Sequence, residues 1–108
     1  MKFTLSLAAA SILVASTAYA QSYPSEPVTL VVPYGPGGAS DLAGRALAES
    51  AREYLGQPVT VVNQAGAGGM TGARDVTQAD PDGYTLLLAR VGMALSPAVN
   101  ENSSVDWD

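Results

Sequence analysis

The chain has 108 residues, with ten acidic against five basic, a formal net charge of −5, and neither cysteine nor histidine. That composition removes disulfides, thiol nucleophiles, the usual zinc ligands and any Ser-His-Asp triad. It also argues against nucleic acid and anionic membrane surfaces, which call for clustered Lys and Arg, but not against a small anion held by backbone amides.

Met1 and Lys2 make a short positive start, and residues 3–14 are apolar apart from Thr4, Ser6 and Ser11. Ala18-Tyr19-Ala20 then reads as a small-residue cleavage signal. Residues 1–20 are therefore expected to be an export signal cut after Ala20, leaving Gln21 as the mature N-terminus in the periplasm. The apolar stretch falls short of the roughly 20 residues a bilayer span needs, so no stable membrane insertion is expected. No cysteine follows to carry a lipid anchor. Residues 21–108 are at most one small domain, without disulfides to support its core.

Residues 22–27 are punctuated by proline and read as extended. Val28-Thr29-Leu30-Val31-Val32 is a β-branched run, expected to be a strand buried on both faces. The glycine turn Gly35-Pro36-Gly37-Gly38 leads into a helix starting near Ser40, the expected N-cap, with Asp41 favoured by the helix dipole. Ala43, Leu47, Ala51 and Tyr54 recur at helical spacing and are expected to face the sheet, with Asp41, Arg45, Glu49 and Arg52 as a solvent-side ladder. Gly56 and Pro58 end the helix.

Val59-Thr60-Val61-Val62-Asn63 is the second strand. A second glycine turn, Gly66-Ala67-Gly68-Gly69, precedes a shorter helix over about 71–78, with Ala73 and Val76 on its buried side. Asp80-Pro81-Asp82-Gly83 is a turn, because Pro fixes φ and Gly accepts positive φ. Residues 84–89 form the third strand, after which the pattern fades and Ser96-Pro97 breaks the chain. The fold class is α/β: a parallel βαβαβ unit whose right-handed crossovers place both glycine turns on one sheet edge.

In the first turn, the amides of residues 37–41 can converge on a point in front of the helix, and the Ser40 hydroxyl can add a donor. A tight strand-to-helix connection needs glycine and a cap even when nothing binds there. The second turn misses the dinucleotide fingerprint, because Thr71 stands where G-x-G-x-x-G needs glycine. A phosphate-binding P-loop is excluded because no G-K-[ST] occurs. Arg90 closes the third strand at the same edge, free either to pair with a ligand carboxylate or to answer Asp80 or Asp82. Acid–base catalysis by Asp75, Asp80 and Asp82 is not expected, since the last two lie at the opposite edge.

Six blocks in order carry a family resemblance: Tyr23-Pro24-Ser25-Glu26-Pro27; Val32-Pro33; Tyr34 with Gly37, Gly38 and Asp41; Leu55-Gly56-Gln57-Pro58-Val59; Asn63 with Gly66-Ala67-Gly68-Gly69; and Pro81-Asp82-Gly83-Tyr84-Thr85-Leu86-Leu87. The chain resembles the periplasmic solute receptors of the tripartite tricarboxylate transporters, the Bug family. The resemblance implies a two-lobed binding protein without enzymatic activity or cofactor. Such a receptor captures a small carboxylate, a di- or tricarboxylate or an aromatic acid, for a large and a small membrane subunit. By matching position, Tyr34, Gly37, Gly38, Ala39, Ser40 and Asp41 fall in the first binding loop and Ala67, Gly68 and Gly69 in the second. Arg90-Val91-Gly92-Met93 departs from the small polar residues usual there. Residues 21–108 are expected to be the N-terminal part of the first lobe, apparently truncated. The alternatives are a periplasmic ligand-presenting signalling module and a non-functional fragment.

Overall fold

The computed structural model describes residues 22–99. The expected export signal and residues 100–108 lie outside the described residues. In chain order the elements are β1 (Val28–Val32), α1 (Ala39–Leu55), β2 (Val59–Asn63), a 3-10 turn (Ala67–Gly69), α2 (Met70–Thr77), β3 (Thr85–Leu87) and α3 (Val91–Val99). The sheet is parallel with order β2-β1-β3, so β1 is central. Val28 pairs with Val59 and Val32 with Asn63, while Thr29 pairs with Thr85 and Val31 with Leu87.

The expected βαβαβ order is present, with differences at the ends. β3 is shorter than expected, yet its pairing runs one residue further each way: Thr29 N donates to the Tyr84 carbonyl at 2.8 Å and Leu88 N to the Val31 carbonyl at 2.9 Å. Helix α3 continues through Ser96-Pro97, where a break was expected. Pro97 has no N–H to donate to the carbonyl four residues back, so the last turn of this nine-residue helix forms without that bond.

Helix α1 corrects three expectations. Its N-cap is Gly38, in extended conformation, and Ser40 lies one residue inside the helix and is buried. Its inward stripe is Ser40, Asp41, Gly44 and Ala48, whereas Leu47 is 55% exposed and Tyr54 88%. Asp41 is buried, at 3% exposure, and not on the solvent side, although it keeps the ladder's ion pair with Arg45. Close approach explains the shift. A Cβ on Gly44 would sit 2.8 Å from Val32 Cγ2 and 3.5 Å from Leu88 Cδ1, so only small residues fit between helix and sheet. Gly56 ends the helix as expected, in left-handed conformation, with its N–H on the Arg52 carbonyl at 3.0 Å.

On the other sheet face, Ala73 of α2 and Met93 of α3 form a buried pair, with Tyr34, Met70 and Leu87 packed against it. Val76, expected on the buried side of α2, is half-buried. The lead-in is tied to the turn at 80–83: Tyr23 Oη donates to the Gly83 carbonyl, and Ser25 N donates to Tyr84 Oη at 2.8 Å.

Candidate functional site

Because all three strands run parallel, the connections that follow them emerge at one edge. Pro33 is buried at the end of β1. Gly37 then takes φ 85°, which a side chain would strain, and Gly38 caps α1. The first intrahelical bond runs from Leu42 N to the Gly38 carbonyl at 3.0 Å. The amides preceding Leu42 have no intrahelical acceptor and open toward this edge.

The Asp41 carboxylate is the knot of the first loop. Its oxygens accept from Gly37 N at 2.8 Å, from Arg45 Nε at 3.1 Å and from Asn63 Nδ2 at 2.9 Å. These donors, Arg45 foremost, hold the carboxyl at about 2 against an ordinary 3.8, with burial opposing them. Asn63 Nδ2 also donates to the Tyr34 carbonyl at 3.1 Å, and Arg45 Nη2 reaches Asn63 Oδ1 at 3.3 Å. One buried anion thus joins the first loop, α1 and the end of β2.

The second loop turns through four consecutive positive φ values: Gly66 137°, Ala67 47°, Gly68 66° and Gly69 100°. Gly69 N closes it on the Gly66 carbonyl at 2.9 Å. Helix α2 begins directly afterwards and lies close to the first loop, since a Cβ on Gly72 would be 2.9 Å from Pro33 Cβ.

Tyr34 links the two loops. Its hydroxyl donates to the Gly68 carbonyl at 3.4 Å, and a Cβ on Gly69 would lie 3.0 Å from that oxygen. Over the Tyr34 ring stands Arg90, its Cζ 5.1 Å from the centroid. Of the two readings left open for Arg90, the structure places it beside the loops, against an aromatic face.

The ten residues singled out from the sequence therefore lie along one edge, in different roles. Tyr34, Gly68, Gly69 and Arg90 come together. Gly38, Ala39 and Ser40 form the mouth of α1. The Asp41 side chain turns inward and takes up the Gly37 amide, so neither group faces outward. Sequence reasoning set Arg45 beside Asp41 in the helix ladder but missed Asn63 as a partner of Asp41. The available signal was a polar residue ending an otherwise β-branched strand.

Elsewhere, a groove of about 290 Å³ runs between α1 and β2, lined by Arg45, Ala48, Arg52, Val59 and Val61 among others. Among the described residues no group of acidic side chains could hold a metal ion, and no helix is long and apolar enough to cross a membrane.

The profile of the family described as "Tripartite tricarboxylate transporter family receptor" matches residues 43–108, which include the second loop and Arg90. The chain belongs to that receptor family. A family relative, a UPF0065 protein of Agrobacterium vitis, is 46% identical over 81 residues, covering 75% of this chain and 23% of the relative. The chain thus spans less than a third of the length of the curated relatives it matches. Among solved structures, this receptor segment superposes on periplasmic binding protein BugD with a TM-score of 0.74 at 44% identity, over 78% of this chain and 28% of that one. It also matches two Rhodopseudomonas palustris proteins, each over 60% of this chain and 22% of that one. One is solved with adipate (TM-score 0.59, 37% identity) and the other is MatC with bound malate (TM-score 0.58, 42% identity).

Proposed function

We propose that this chain is the N-terminal part of the first lobe of a periplasmic receptor that captures a small carboxylate for a tripartite transporter. Capture is non-covalent. One ligand carboxylate accepts from the first-turn amides of α1, at Gly38, Ala39 and Ser40, and from the second loop around Ala67, Gly68 and Gly69. Asp41 is a positioning residue, keeping the first loop open and tied to β2. Tyr34 sets the spacing between the loops, and Arg90 stands at their rim. Export removes the signal by cleavage after Ala20, and the loaded receptor hands its ligand to a large and a small membrane subunit.

The observation that carries this reading is the meeting of the two glycine loops, through Tyr34 and Gly68, at the N-terminus of a 17-residue helix. Helix N-termini favour anions through free amides and the helix dipole. Family members solved with adipate and malate add chemical support for a carboxylate.

The test is a titration of the ¹⁵N-labelled full-length receptor that carries this segment with adipate and with malate, followed by amide chemical shifts. The expected result is a saturable shift of the Gly38, Ala39, Ser40, Gly68 and Gly69 amides. Gly68→Ala should weaken it: the new methyl meets no neighbour, but at φ 66° a side chain strains the loop that presents the amides. Loop amides that stay unmoved, or shifts confined to the α1–β2 groove, would overturn the reading. Intact mass of the periplasmic protein checks cleavage after Ala20.

A further inference from the structure

The glycine loops offer neutral donors and carry no charge of their own. The chain is acidic overall, so a ligand with two negative groups is repelled unless a cation meets the second one. At this edge the Arg45 cation is already spent on Asp41, at 3.1 Å. Asp75, another acid near the second loop, accepts from Gln64 Nε2 at 2.5 Å. Arg90 differs from Arg45: its neighbour is the Tyr34 ring, and among the described residues no carboxylate pairs with it. The ring under it is itself held, by the Gly68 carbonyl on one side and by packing against Ala73 and Met93 on another.

Cation–π stacking restrains a guanidinium without using its N–H donors, which remain available for an anion. The stack therefore presents a fork of donors at a defined place, above the residue that joins the two loops. From this we infer that Arg90 is a specificity-determining residue: it receives a second anionic group of the ligand, so the site prefers a dicarboxylate to a monocarboxylate of the same chain length. This rests on the receptor reading above and adds to it the charge of the ligand's far end.

The experiment compares adipate with hexanoate, which has the same carbon chain and one acid fewer. It reads the loop amides and the Arg90 Nε–Hε resonance of the ¹⁵N-labelled full-length receptor together. Both acids should move the amides of Gly38, Ala39, Ser40, Gly68 and Gly69. Only adipate should move Arg90 Nε–Hε, and it should bind about ten-fold more tightly, the gain of one charge-assisted contact. Arg90→Gln should bring adipate down to the hexanoate affinity while the loop shifts remain. If the loops answer both acids alike and Arg90 stays still, the inference falls and the receptor reading stands. Arg90→Gln weakening both acids equally would also overturn it, by making Arg90 a prop for Tyr34. Loops silent toward both acids would remove the receptor reading itself.

Discussion

The Asp41 carboxylate gathers Gly37 N, Arg45 Nε and Asn63 Nδ2 around one buried charge. Its folded-state pKa is lowered to about 2 from 3.8, so the unfolded chain takes up the proton first as pH falls. The stability this provides is complete above the unfolded value and is lost as pH drops from 3.8 toward about 2. Urea midpoints measured across that window should fall in the native chain, and Asp41→Asn should flatten that part of the profile. Ala67 makes a second residue-scale case, a non-glycine at φ 47°. The left-handed region costs an L-residue roughly 1–2 kcal/mol, and the extra freedom of unfolded glycine offsets about 0.4–1 kcal/mol of that. Ala67→Gly should leave stability unchanged or raise it by up to about 1.6 kcal/mol. Ala48→Gly, in the middle of α1, should cost about 1 kcal/mol. Thermal melts of the two variants make the comparison.

At the scale of elements, α1 shows where periodicity stops being informative. Leu47 and Tyr54 have the spacing and the bulk of core residues, yet both face outward, and the helix meets the sheet through Gly44 and Ala48. Either face has helical periodicity; only the distance between helix and sheet selects one. Gly44→Ala should therefore destabilise, although alanine is the better helix former. The Cβ at 2.8 Å from Val32 Cγ2 forces a shift, and overpacking of this kind costs about 1–3 kcal/mol. Tyr54→Ala should change stability by no more than about 0.5 kcal/mol, as expected of an exposed position. Chemical denaturation of both variants decides which face of α1 carries the core. The strands were legible because β-branched runs bounded by proline and glycine have few alternatives. Helix α3 was not, because among its described side chains only Met93 is buried, which leaves no period.

At the scale of the molecule, among the described residues β2 and β3 each pair with β1 on one side only. Val62 and Leu86 on these outer strands are 40% and 43% exposed, and Val91 and Leu95 of α3 are also exposed. Unpaired strand edges beside apolar side chains favour association. The chain by itself should melt broadly and sediment increasingly fast with concentration. A sharp cooperative melt from a monomer, seen by calorimetry and sedimentation together, would contradict this.

The βαβαβ order, the parallel sheet, both glycine turns and the family could be read from residue types and spacing alone, because each is a local or linear property. Tertiary structure decided which face of α1 is buried, the inward turn of Asp41 and its bond to Asn63, and the stacking of Arg90 on Tyr34. Those outcomes depend on how closely elements far apart in sequence approach one another. Asp41 and Asn63 are 22 positions apart, and no local pattern encodes the distance between them.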